Sequence, residues 1–232
     1  MTRSIAILCA GASQGLVTRS AERLKTAIDA ATSGRFGAVG AMKEAFEAGE
    51  ACDLMILTDT MIRSMIAAGQ LMADGAAPLG TVRTGVAVPS GSTLPDVGSP
   101  EALAAALRSA SSIWIPDTVR STAGIHVARV IEQLGLSSQL RDRLREFPNG
   151  ATAMRAMADS GDAHAIGCTQ ISEILFTGGV ALVGPLPSRF ELGTVYTAAV
   201  SARAADAELA ARAIALISGP NSAELRRECG FD

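Results

Sequence analysis

Compact apolar runs alternate with longer stretches of helical period along most of this chain. That alternation is the pattern of strands buried on both faces with helices packed between them. Residues 4–9 read as the first strand. Leu16, Val17, Ala21, Leu24, Ala27 and Ile28 then fall on one face of a helix over residues 14–31. A short strand ends at Phe36, and Gly37-Ala38-Val39-Gly40 turns into a helix over 41–49, with Gly49 as its C-cap. Residues 54–57 form a buried strand, and Thr58-Asp59-Thr60 caps a helix over 61–68 closed by Gly69. This βαβαβα order predicts a parallel, doubly wound sheet.

After Pro78-Leu79-Gly80 the rhythm changes. Residues 81–89 are a long β-branched strand, and 90–99 a loop rich in Gly, Pro and Ser. Pro100 opens a helix to 109, since proline is tolerated in a first turn. A strand over 112–116 and a helix over 122–135 follow, then helical segments at 140–146 and 151–160. Strands at 164–170 and 180–184 bracket a short helix at 172–175. An alternating strand at 194–201 and helices at 204–218 and 222–229 end the chain. The strands at 81–89 and 194–201 read as two crossings between lobes. Residues 1–80 with 192–232 form one lobe, and 81–191 the other.

The chain has 232 residues, 48% of them hydrophobic, enough for two lobes of about a hundred residues with filled cores. Only 3% are aromatic, so Ala, Val, Ile, Leu and Met build those cores. Lys and Arg number 20 against 23 Asp and Glu, with no basic block. Without aromatics beside clustered cations, nucleic-acid binding is disfavoured. Cys9, Cys52, Cys168 and Cys229 include no CxxC pair, and His126 and His164 are the two histidines. Structural zinc is therefore not expected, and the cysteines read as buried, reduced thiols in a reducing compartment. No stretch reaches the roughly 18–20 apolar residues of a membrane span. The apolar stretch behind Arg3 is too short and weak for a leader and is needed as the first strand, so a cytoplasmic protein is expected. A leader missing from this sequence would place it in the periplasm instead.

Two turns carry the chemistry. Ala10-Gly11-Ala12-Ser13-Gln14 and Arg120-Ser121-Thr122-Ala123-Gly124 each follow an apolar strand and open a helix. A strand that turns through small residues into a helix leaves the first N–H groups of that helix facing outward. With the positive end of the helix dipole they form a seat for an anion. Two such turns roughly a hundred residues apart predict two half-sites and a protein that closes on a small anion.

With these segments placed, the chain resembles the type II periplasmic-binding-protein fold, in its molybdate-binding branch. The resemblance is carried by Cys9-Ala10-Gly11-Ala12, Phe36-Gly37-Ala38-Val39-Gly40, the run from Glu47 to Leu54, Thr122-Ala123-Gly124-Ile125, Ser218-Gly219-Pro220 and Cys229-Gly230-Phe231. It implies an α/β protein of two lobes, each a mostly parallel sheet flanked by helices, joined by two hinge crossings and holding its ligand in the cleft. Carried onto this chain, it implies ligand contacts at Ala12, Ser13, Val39, Gly40, Arg120, Ser121, Thr122, Ala123, Thr152 and Gln170. Three positions depart from the molybdate-binding pattern. Ala12 stands where a ligand hydroxyl is expected, Ala38-Val39-Gly40 replaces a serine-rich stretch, and Gln170 replaces a tyrosine. Main-chain donors survive these changes and the hydroxyls do not, which favours a larger organic anion. Relatives of this fold include an aconitate isomerase. As a solute-binding protein the chain would serve an ABC transporter only if exported.

Among single residues, Arg120 is placed to pair bidentately with a carboxylate, or is a solvated loop arginine. Its replacement by Ala is expected to cost carboxylate affinity. Ser13, Ser121 and Thr122 can donate hydroxyls to an anion or cap their helices. Gln170 ends a strand beside Thr169 and Ser172, as a site residue or a plain strand-end amide. Asp59, His126 and Glu173 are the candidate bases, each with a structural reading beside it. No GxSxG, Walker or GxGxxG motif is present, so neither nucleophilic catalysis nor a nucleotide cofactor is indicated. The expectation is a binding protein for an organic carboxylate or a molybdate-like oxyanion. The alternative is a cytosolic isomerase that shifts a double bond in an unsaturated carboxylate by proton transfer.

Overall fold

The computed structural model describes Arg3–Asp232. In chain order the elements begin β1 (Arg3–Ala10), α1 (Gln14–Ile28), β2 (Ala30–Gly37), α2 (Val39–Glu47), β3 (Leu54–Thr58), α3 (Asp59–Ala67) and β4 (Ala77–Pro89). They continue with α4 (Pro100–Ser109), β5 (Ile113–Pro116), α5 (Thr122–Gln133), α6 (Ser137–Leu140), β6 (Leu144–Phe147) and α7 (Gly150–Asp159). The last are β7 (Ile166–Gln170), α8 (Ile171–Phe176), β8 (Val180–Pro185), β9 (Gly193–Val200), α9 (Ala207–Ser218) and α10 (Ala223–Glu228). The chain divides into two compact units, one holding residues up to Val82 together with Thr194–Asp232, the other Arg83–Gly193.

In the first unit β1 lies between β2 and β3, parallel to both. Ala10 faces Gly37 and Cys9 faces Ile56, so all three strands end together. β9 closes the other side of β3 in antiparallel register. The core beneath is aliphatic, with Ile5, Leu8, Leu16, Leu54, Ile56 and Ile214 among its buried members.

The second unit repeats the scheme. β5 lies between β6 and β7, parallel to both. β4 runs antiparallel to β7, and β8 antiparallel to β4 with a bulge at Val86/Ala87. Its core gathers Val86, Leu103, Ile113, Val127 and Leu140, and a smaller cluster forms around Met154 and Met157.

Several predicted boundaries are corrected. The first helix stops at Ile28 because Asp29 takes a left-handed conformation (φ 49°), and Ala30 and Ala31 belong to β2, paired with Arg3 and Ser4. The second helix starts at Val39, two residues earlier than its spacing implies. The segment expected to be helical at 140–146 contains β6, which pairs with β5 from Ile113↔Leu144 to Pro116↔Phe147. β6 ends the sheet order, so Arg145 and Glu146 face solvent and no period-two apolar pattern betrays it. No helix among the described residues is long and apolar enough to cross a membrane.

Candidate functional site

Each unit contains a point where the chain leaves a central strand toward one neighbour and later returns to the other. In the first unit this is β1, flanked by β2 and β3; in the second it is β5, flanked by β6 and β7. Helices that follow strands on opposite sides of such a point diverge and leave a crevice at the carboxyl ends of the strands. The turns at residues 10–14 and 120–124 sit at these two points.

In the first unit a 3-10 turn over Gly11–Ser13 leads into α1, and no side chain caps either segment. Ala12 and Ser13 are buried in it, Ser13 fully, and the Ser13 hydroxyl has no hydrogen-bond partner. Beside it, α2 starts at Val39 and Gly40 behind Ala38, again without a side-chain cap. These two are exceptional. Every other helix of nine residues or more carries one, accepted by Thr58 (α3), Ser99 (α4), Ser121 (α5), Asn149 (α7) or Asp206 (α9). A buried helix end without an internal acceptor calls for another partner, and an anion is the natural one. Asp59 is engaged otherwise: its Oδ2 pairs with Arg63 at 2.6 Å and its Oδ1 accepts from the Thr197 hydroxyl at 3.0 Å.

In the second unit the loop after β5 is built around Asp117. Its Oδ1 accepts from the amides of Val119 (2.8 Å) and Arg120 (2.7 Å), and its Oδ2 from Arg120 Nε (2.8 Å). Arg120 Nη2 is also 2.8 Å from Oδ2. Burial pushes the Asp117 carboxyl up, but the Arg120 and Val119 amides and the Arg120 guanidinium outweigh it and hold it below its ordinary range. One edge of the Arg120 fork is thus spent on Asp117 rather than presented whole to a carboxylate. Ser121 caps α5, accepting from the Gly124 amide at 3.4 Å, so its hydroxyl is used as the capping alternative allowed. Thr122 and Ala123 follow in the first turn. A side chain at Gly124 would collide with the carbonyl oxygens of Asp117 and Pro116, so only glycine lets α5 start this close to β5.

The first turn of α7 is capped internally. Asn149 Oδ1 accepts from the Thr152 amide and hydroxyl, both at 2.9 Å. Glu173 lies against the start of α7, where a side chain at Gly150 would collide with it, and its carboxylate accepts from the Thr169 hydroxyl at 2.5 Å. Burial pushes this carboxyl above its ordinary range, against the smaller pull of that hydroxyl and the nearby main-chain amides. Gln170 closes β7 opposite Thr84 and is buried. Around it the hydroxyls of Thr84 and Ser172 are buried without partners. Of the expected contacts in this unit, Arg120, Ser121, Thr122, Ala123, Thr152 and Gln170 all lie at the carboxyl ends of the parallel strands. Thr84, Asp117 and Asn149 join them. Asp117 had a signal in the sequence: an aspartate whose carboxylate accepts from the amides two and three residues on is a common turn device.

The candidate bases are occupied. His126 Nε2 is 2.7 Å from the Phe190 carbonyl oxygen. Glu173 is buried and accepts from the Thr169 hydroxyl, and Asp59 is paired. All four cysteines are free and buried, with burial pushing Cys168 up to about 12 and Cys52 up to about 11. Among the described residues no group of His, Cys, Asp or Glu could hold a metal ion. A cavity of about 370 Å³, lined in part by Val88, Ser92, Ser109, His164 and Ile166, opens at the amino end of β7 and takes none of the site groups.

Known proteins agree with this architecture. The periplasmic molybdate-binding protein of Azotobacter vinelandii superposes with a TM-score of 0.81 at 15% identity, covering 98% of each chain. The sulfate-binding protein SubI of Mycobacterium tuberculosis gives 0.75 at 17% identity, over 99% of this chain and 86% of that one. In sequence, the chain is 24% identical over 183 residues to an aconitate isomerase from a Pseudomonas species, over 78% of this chain and 68% of the relative. The profile of the bacterial extracellular solute-binding proteins matches residues 5–232, and the chain belongs to that family.

Proposed function

We propose that this protein binds a small anion, with main-chain amides at the starts of α1 and α2 in the first unit as its principal donors. The observation that carries the reading is the pair of uncapped helix ends in the first unit, with the buried Ser13 hydroxyl unpartnered just ahead of α1. An N-terminus left without an acceptor inside the protein, while its neighbours are capped, is a site kept for a guest. The molybdate- and sulfate-binding neighbours support an anion of that size. Alanine, valine and glycine stand where a hydroxyl-lined oxyanion site would carry serines, which favours an organic carboxylate over a tetrahedral oxyanion.

The relationship to an aconitate isomerase supports a second reading, isomerisation of an unsaturated carboxylate. Against it, Glu173 is buried and accepts from Thr169, Asp59 is paired with Arg63, and the His126 ring is turned onto the Phe190 carbonyl oxygen. A general base must lie within hydrogen-bond reach of the proton it removes.

Thermal shift with molybdate, tungstate, sulfate, citrate and cis- and trans-aconitate tests binding, because a ligand of the folded state raises Tm by mass action. Calorimetry on the strongest hit should return a one-site isotherm. Incubation of that hit in D2O, followed by NMR, separates the readings. Unchanged ligand supports binding alone, whereas deuterium incorporation with isomer exchange establishes the isomerase. No shift with any of the six anions refutes the anion site.

A further inference from the structure

A cavity of about 280 Å³ in the second unit takes none of the anion-site groups and lies between α4, the end of α5 and a 3-10 turn over Ser188–Phe190. Glu101, Ala104 and Arg108 line it from α4, spaced three and four residues apart and so on one helix face. Ala104 is small and buried, and with Leu134 and the buried Phe190 it makes an apolar floor. That floor is tied to α5, since His126 Nε2 is 2.7 Å from the Phe190 carbonyl oxygen. Arg108 and Arg189 complete the charged lining, both exposed, with the Arg189 guanidinium carbon 5.7 Å from the centre of the Phe190 ring. Among the described residues neither guanidinium donates a hydrogen bond or forms an ion pair. Arg120, by contrast, spends its fork on Asp117. Arg108 sits in the last turn of α4, where a cation complements the helix dipole, but that role uses no directed hydrogen bond.

Two unspent donor forks beside an apolar floor suit a carboxylate that carries a hydrophobic body. The guanidiniums pair with its oxygens, and the body covers the floor. We propose that this cavity is a second ligand site, for a small aromatic monocarboxylate, independent of the anion seat in the first unit. Volume sets the size: about 280 Å³ is at the lower end for small-molecule pockets, enough for one ring and its carboxylate. Charge sets the valence, since two arginines against the one glutamate leave a single net positive charge on the lining. One carboxylate matches that charge and two do not. The recognition also differs from that of the first unit, where main-chain amides and no charged side chain hold the guest.

The test is heteronuclear NMR of the full chain with benzoate as the probe and benzamide as its uncharged counterpart. A guest of this size should bind with Kd on the order of 1 mM. Benzoate should shift the amide resonances of Ala104, Leu134 and Phe190 saturably, and benzamide should not. Arg108→Gln and Arg189→Gln alter exposed side chains and leave the fold intact. Each should weaken benzoate about two- to fivefold, and the double variant about four- to 25-fold. Isophthalate, the same ring with a second carboxylate, should bind no tighter than benzoate. No saturable shift at these residues, equal shifts with benzamide, or wild-type affinity in the double variant overturns the site. Tighter binding of isophthalate overturns the ligand class. Ser13→Ala separates this site from the anion seat: benzoate shifts that persist in S13A support the second site whatever becomes of the first, and shifts that vanish there overturn it.

Discussion

Ser13→Ala is the sharpest probe of this site, because two ordinary expectations for it point the wrong way. A serine at a helix N-cap normally costs about 1 kcal/mol when changed to alanine, through loss of the bond to a first-turn amide. Here that bond does not exist: α1 has no side-chain cap, and the Ser13 hydroxyl is fully buried without a partner. A buried, unsatisfied polar atom costs about 1–3 kcal/mol. Its removal should leave the unliganded protein unharmed or stabilise it by up to ~1 kcal/mol. At this chain length that corresponds to a rise of about 2–4 °C in Tm. Ser99→Ala is the internal control, because Ser99 does cap α4, accepting from the Ala102 amide at 3.1 Å. It should lose about 1 kcal/mol.

Affinity should move in the opposite direction. A hydroxyl that meets a charged guest contributes about 1.5–3 kcal/mol, so S13A should weaken anion binding roughly 10- to 150-fold. Urea unfolding of the unliganded chain gives the first quantity and calorimetry the second. An S13A protein destabilised as much as S99A, with Kd within twofold of wild type, would refute the reasoning. It would mean that Ser13 is a structural residue and that the helix end is satisfied in some other way.

Gly124→Ala should destabilise by about 1–3 kcal/mol in urea unfolding and weaken anion binding, since the clash is with main-chain carbonyls that cannot yield unless α5 moves; wild-type stability would show slack there. Arg120→Ala should reduce affinity by less than about threefold in calorimetry, because its half-exposed guanidinium is already paired with Asp117 and such pairs contribute little. A loss above tenfold would show that the side chain leaves Asp117 for the ligand. Asp117 makes acid stability testable. Its folded pKa lies below the ordinary 3.8, so its contribution is present above about pH 4 and is lost as pH falls through the folded value. Asp117→Asn should therefore lower stability at pH 7 and shrink the drop between pH 7 and pH 3; an unchanged drop would remove Asp117 from the linkage. A thiol reagent should find no reactive cysteine in the native protein and four after unfolding, because thiolates, not buried thiols, react.

The turns that matter were legible because they depend on small residues between an apolar strand and a helical period, and both signals are local. Gly11 and Gly124 are visible as glycines, and α1 and α5 begin at Gln14 and Thr122, where the spacing places them. β6 was not legible. An edge strand of four residues, Leu-Arg-Glu-Phe, has too little alternation to outweigh the helix preference of its neighbours, and its pairing with β5 is a tertiary fact. The surroundings of Glu173 were equally hidden, since it packs against Gly150 at the start of α7, more than twenty residues away in the chain.

Ser13 and Ser121 show why side-chain roles at a site resist reading. Both are serines just ahead of a helix, both after a strand, and residue type gives each the same two options of capping or donating to a guest. The structure separates them through their flanks. Asp117 has folded the loop before α5 onto itself, and Ser121 is left at an ordinary N-cap over Gly124. Before α1 the chain instead makes a 3-10 turn, which takes the Gln14 amide to Gly11 and carries the Ser13 hydroxyl away from any first-turn acceptor role. The two helix ends are therefore not equivalent as anion seats. α5 has lost an amide to Ser121 and α7 one to Asn149, whereas α1 and α2 have surrendered nothing to a side chain. Substitutions in the first turns of α1 and α2 should consequently cost more affinity than equivalent ones in α7, and an equal loss from Thr152 would mean that Asn149 releases its amide when the ligand arrives.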